Sequence, residues 1–245
     1  MATPPEPPKN TETPHGIAPA ESSRAEVDAF LAQMRSGPVP KPVGPGRLIF
    51  AMDATMSRRP TWDMALAVQA EMFSAVKAVG GLDVQLVFFR GFDDCRSSRW
   101  VSDATALARL MTAVECRGGY TQIRKVLKHA AREASAAKVS ALVYVGDAME
   151  EAPDELCNLA GQLALLGVPA FMFQEGNDGE ARACFKEIAR LTRGATCRSG
   201  PGAASQLREL LEAVAVYAAG GRVALQDYAK GRAGPTLLLE QMYKP

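Results

Sequence analysis

Histidine is nearly absent from this chain: of 245 residues only His15 and His129 carry an imidazole. The first lies in a Pro-rich leader and the second inside a helical pattern, so a Ser-His-Asp or Cys-His constellation has no base to work with. Cysteine is sparse and scattered. Cys95, Cys116, Cys157, Cys184 and Cys197 are odd in number and lack C-x-x-C spacing. That argues against a zinc ribbon or a disulfide framework and suits reduced thiols in a cytoplasmic protein. An excess of one charge is missing too. With 28 basic and 27 acidic residues the formal net charge is +1, which leaves no basic footprint for nucleic acid. No apolar run reaches the roughly 20 residues of a membrane span. The first ten residues show neither the basic n-region nor the apolar stretch of a signal peptide. Neither G-x-G-x-x-G after a strand nor G-x-x-x-x-G-K-[ST] occurs, so a nucleotide cradle is not expected.

What is present is unevenly distributed. Ten of the 16 prolines precede residue 47, and residues 1–46 read as a leader that packs no core of its own. Within it, Ser23-Arg24-Ala25-Glu26 has capping-box form. Val27, Phe30, Leu31 and Met34 follow at helical spacing, so a short amphipathic helix is expected over about 23–35, ended by Gly37-Pro38. From Arg47 the pattern becomes regular. Apolar runs at 48–52, 84–90, 141–145 and 168–173 read as buried strands, with a short last strand at 195–198 and an antiparallel edge strand at 95–101. Helical patterns alternate with them at 60–79, 104–114, 122–137, 153–166, 180–191 and 205–219. Alternation of this kind predicts an α/β domain over 47–220, a mostly parallel sheet with helices on both faces. Residues 221–245 read as a tail, with Leu237, Leu238, Leu239 and Met242 as a small apolar cluster expected to pack on the domain.

The chemistry gathers at the ends of the predicted strands. Asp53-Ala54-Thr55-Met56-Ser57 follows the first strand and places one carboxylate and two hydroxyls at alternate positions. Thr121 follows Gly118-Gly119-Tyr120 and leads into a helix. Asp147 follows the third buried run, after Gly146. In an open parallel sheet such loops lie at one edge, where ligands bind. Carboxylates and hydroxyls are hard donors that suit Mg²⁺, Mn²⁺ or Ca²⁺ rather than zinc or copper. Arg58 and Arg59 read as solvated charge or, alternatively, as support for an incoming carboxylate. Glu150 and Glu151 read as the acidic start of the next helix.

Asp53-x-Thr55-x-Ser57, Thr121 and Asp147 together resemble the metal-ion-dependent adhesion site of von Willebrand factor A domains, D-x-S-x-S followed by a Thr and a later Asp. The stretch FAMDATMSRRPTWD and the preceding VDAFLAQM are similar to bacterial intracellular members. The resemblance covers roughly residues 47–220. It implies a Rossmann-like, doubly wound sheet with one antiparallel edge strand. It also implies that Thr55, Ser57 and Thr121 contact a Mg²⁺ directly, while Asp53 and Asp147 act mainly through water. Few negative ligands leave such an ion electrophilic. The expected function is therefore non-enzymatic: docking of an Asp or Glu presented by a protein partner, of the chaperone or AAA+ ATPase kind that such domains serve.

An enzyme is the alternative. Asp53-x-Thr55 after a strand also resembles the nucleophile loop of haloacid-dehalogenase-like phosphatases. Gly146-Asp147 with Glu150 or Glu151 would then be the Mg-binding motif, and Lys125, Lys128 or Lys138 the phosphate-binding base. Thr55 stands where a second carboxylate is usual, and the helix expected from Pro60 leaves little room for a flap.

Overall fold

The computed structural model describes residues 44–76, 80–199 and 204–242. The helix expected at 23–35 lies outside them. Six strands form one sheet: β1 (Gly46–Asp53), β2 (Leu82–Arg90), β3 (Asp94–Val101), β4 (Ala141–Gly146), β5 (Ala170–Glu175) and β6 (Ala195–Ser199). Their order is β3-β2-β1-β4-β5-β6. All neighbours are parallel except β2 and β3, which form an antiparallel pair at the edge. A six-stranded mixed sheet covered by helices is the doubly wound architecture the alternation predicts.

The helices are α1 (Arg59–Val76), α2 (Ala104–Thr112), α3 (Ile123–Ala136), α4 (Pro153–Leu165), α5 (Gly179–Leu191), α6 (Ala204–Tyr228) and α7 (Ala233–Met242). Alternation along the strands divides the core in two. Leu48, Phe50 and Met52 of β1 join Trp62, Met72, Val214 and Leu238 on the α1, α2, α6 and α7 face. Ile49 and Ala51 point the other way and join Val126, Leu127, Leu156 and Phe185 of α3, α4 and α5. A strand buried on both faces carries no polar alternation, which is why β1 reads as a continuous apolar run. Two helix starts are capped by aspartates. The carboxylate of Asp103 accepts the Ala106 N–H, and that of Asp178 accepts from Glu180 and Ala181.

One helix departs from expectation. The sequence pattern ends α6 at 219, before Gly220-Gly221. In the fold Gly221 does break the helix, at φ 70° and ψ −160°, yet helical structure resumes to Tyr228. The resumed segment buries Leu225, and burial on the core outweighs the local stop signal. Beyond it, α7 buries Leu238 and Met242, and Gln241 accepts the Thr196 N–H of β6 at 2.8 Å. Among the described residues no helix is long and apolar enough to cross a membrane.

Candidate metal centre

The strand order reverses between β1 and β4: from β1 the chain proceeds outward to β2 and β3, then returns to β4 on the other side. The crevice beyond the carboxyl ends of these two strands is the binding position of such sheets. Asp53 closes β1 with the parity of Ile49 and Ala51, on the face of α3–α5. Its side chain is only 2% exposed, and burial pushes its carboxyl up to about 6, against the lowering effect of its bond to Thr55. The Thr55 N–H donates to Asp53 Oδ1 at 2.7 Å, an Asx turn that bends the chain directly off the strand. A single 3-10 turn over Met56–Arg58 follows. It brings the Thr55 and Ser57 hydroxyls to 3.2 Å. Ser57 Oγ in turn donates to Asp147 Oδ2 at 3.3 Å, across 90 positions of sequence.

Thr121 comes from a loop pressed against the turn after β2. A Cβ on Gly119 would lie 1.9 Å from the Gly91 carbonyl oxygen, so only glycine allows this approach. The Tyr120 N–H donates to the same carbonyl at 3.1 Å. Gln122 Nε2 donates to the Arg90 carbonyl at 3.2 Å. Asp53, Thr55, Ser57, Thr121 and Asp147, with Glu150, line one cavity of about 200 Å³. Lys125, Lys128 and Lys138 do not line it. Lys125 pairs with Asp93, and Lys128 lies 3.7 Å from Glu155. The base required by the phosphatase alternative is therefore elsewhere.

Three flanking residues differ from their sequence reading. Arg58 is neither solvated nor free to support an incoming group. Its Nη1 donates to Glu175 at 2.6 Å and its Nη2 to the Ser57 carbonyl at 3.1 Å. Its Nε lies 3.3 Å from Asp147 Oδ2, a charge contact without hydrogen-bond geometry. Glu150 and Glu151 precede α4 but serve the start of α3. Glu150 Oε2 accepts from Thr121 Oγ1 at 2.6 Å and from Thr121 N at 3.0 Å. Glu151 accepts from the N–H groups of Ile123 and Arg124. Two successive carboxylates thus satisfy donors at a helix start that has no side-chain cap of its own. Their distance in sequence from these donors, 29 positions for Glu150 to Thr121 and 28 for Glu151 to Ile123, leaves no local signal.

The donor set fits a hard divalent cation. It offers hydroxyl and carboxylate oxygens around the buried carboxylate of Asp53, and a small oxygen-lined space. Among the described residues no group of three or more His, Cys, Asp or Glu side chains converges to hold a metal, so the hydroxyls are needed to complete any donor set here. The rim is different in character. Met56, Phe92 and Tyr120 are 58%, 76% and 58% exposed, and the Phe92 and Tyr120 rings meet edge to face at 5.4 Å.

No protein-family model and no curated protein matches the chain. Solved structures do. A von Willebrand factor type A protein from Catenulispora acidiphila superposes with a TM-score of 0.56 at 17% identity, covering 72% of this chain and 43% of that one. The SpRpn10 VWA domain gives 0.55 at 12% identity, covering 67% and 94%. Proximal thread matrix protein 1 from the mussel byssus, with a zinc-occupied MIDAS motif, gives 0.53 at 15% identity, covering 70% and 45%. This chain spans less than half of the Catenulispora and mussel structures. On the strength of strand order, edge strand and these superpositions, the chain has the von Willebrand factor A fold.

Proposed function

We propose that this chain is a metal-dependent protein-interaction module. Asp53, Thr55, Ser57, Thr121 and Asp147 hold a divalent cation, Mg²⁺ by preference and Mn²⁺ or Ca²⁺ as substitutes, and the cation takes an Asp or Glu carboxylate from a partner protein. One observation carries the reading: five oxygen-bearing side chains from three separated segments line a single small cavity at the switch point of the sheet. Three of the five are neutral hydroxyls. A bound ion would keep most of its positive charge and its attraction for an external carboxylate. The exposed Met56, Phe92 and Tyr120 support a protein partner, because Met and aromatic side chains are enriched at interaction surfaces. The mussel protein's zinc-occupied motif supports the metal.

The test is affinity capture with the full chain as bait in Mg²⁺, in EDTA, and in EDTA followed by excess Mg²⁺. A partner retained in the first, lost in the second and recovered in the third is expected. Capture that EDTA leaves unchanged contradicts the reading and moves attention to surfaces away from the cavity.

A further inference from the structure

We propose that Glu150 is a positioning residue for the cation, acting through the hydroxyl of Thr121. The inference rests on the metal-binding reading above. It starts from where the hydroxyl protons go. A neutral hydroxyl ligates a cation through an oxygen lone pair, and its proton must point elsewhere. On one side of the cavity this is arranged by a carboxylate: Ser57 donates to Asp147. On the other side Glu150 has the corresponding role. Thr121 Oγ1 donates to Glu150 Oε2 at 2.6 Å, and the same carboxylate oxygen accepts the Thr121 N–H at 3.0 Å.

The contact is reciprocal. The Glu150 N–H donates back to Thr121 Oγ1 at 3.2 Å. A hydroxyl oxygen has one proton and two lone pairs. Here the proton and one lone pair are engaged by Glu150, so one lone pair of a cavity-lining oxygen is left for a cation. Donation to a carboxylate also raises the electron density on the oxygen and makes a weak ligand a better one. Without Glu150 the Thr121 hydroxyl is free to rotate, and some of its orientations turn the proton toward the metal position. Glu151 strengthens the arrangement by fixing the next N–H groups of the same helix start.

Glu150 is itself exposed, so Glu150→Ala, which removes the acceptor, leaves the core intact. Two simpler roles compete with positioning: direct ligation of the ion by the carboxylate, and long-range attraction by its charge. Neither runs through Thr121, and a double-mutant cycle separates them. Mg²⁺ affinity is measured by calorimetry on the full chain, with Mn²⁺ titrations read by electron paramagnetic resonance for the weak variants. The expected result is a loss of roughly tenfold or more in Glu150→Ala, which removes the acceptor of the Thr121 proton. The same loss is expected when Glu150→Ala is made in Thr121→Ser, which keeps the hydroxyl. In Thr121→Val, which binds more weakly, adding Glu150→Ala changes nothing further.

An unchanged or higher affinity in Glu150→Ala overturns the proposal. So does an equal loss in the wild-type and Thr121→Val backgrounds, and so does a Thr121→Val chain that binds no metal at all, since Thr121 is one ligand among several. Failure of the underlying reading looks different: a wild-type chain that binds no Mg²⁺ sinks both.

Discussion

On one wall of the cavity Asp53, Thr55 and Ser57 fall within five consecutive residues; on the other, Thr121 and Glu150 meet across 29 positions. The first wall is shaped locally. A buried strand ends, an Asx turn bends the chain, and a 3-10 turn sets the second hydroxyl beside the first. The second wall is shaped by tertiary contact. Its loop is held by the approach of Gly119 to Gly91 and by two carboxylates reaching over from the segment before α4. The two walls reach one chemical result, hydroxyl protons directed onto carboxylates and away from the cavity. The first draws its carboxylate from Asp147 and the second from Glu150. What differs is how each can be broken: the first by changing one side chain, the second also by shifting a backbone.

The largest effect on the first wall concerns Asp53. Its carboxyl is raised from 3.8 to about 6 by burial, so the folded chain holds a proton that the unfolded chain has released. Below about pH 4 both states are protonated and burial has no ionisation cost. As pH rises through 6 the folded state must ionise a buried group, and stability falls by roughly 3 kcal/mol at 1.36 kcal/mol per unit. In EDTA, Asp53→Asn is therefore expected to melt with the wild type near pH 4 and well above it at pH 7. Equal melting temperatures at pH 7 would show that the buried carboxylate is not under this stress.

The second wall is tested through its backbone. Gly119→Ala forces a Cβ to within 1.9 Å of a carbonyl oxygen, and overpacking of this kind costs about 1–3 kcal/mol. Denaturant unfolding should show that loss. Mg²⁺ affinity should fall with it, because Thr121 follows two residues later. Gly118→Ala, whose Cβ would meet nothing within 4 Å, is the matched control.

A smaller effect tests the link between the walls and their surroundings. Arg58 offsets Asp147 and Glu175 from a half-buried position. Arg58→Gln removes the cationic contact to Asp147 at the cavity, and Mg²⁺ affinity is expected to rise about threefold at low salt. The gain should shrink as ionic strength rises and the Debye length shortens. A gain that survives 1 M salt would point to a conformational cause instead.

The contrast between the walls also explains what was legible in the sequence. The sheet was readable because its central strands are buried on both faces, so β1 and β4 stand out as apolar runs, and the short polar segment at 94–101 is the expected edge. The site's donor types were readable because Asp53, Thr55 and Ser57 lie in one loop. Glu150 was not. Its sequence neighbours place it before α4, where acidic residues are common, and only the fold shows that it serves α3. Arg58 was misread for the same reason, since its partner Glu175 is 117 positions away. The end of α6 was misplaced because Gly220-Gly221 is a sound local stop signal, and the burial of Leu225 that outweighs it is a tertiary fact.

The central claim is that these oxygens hold a cation, and a calorimetric titration of Mg²⁺ into the wild type and Asp53→Ala tests it most directly. One saturable site in the wild type, weakened at least a hundredfold or lost in Asp53→Ala, is the predicted result. Equal affinity in both, or no binding by the wild type, would contradict it.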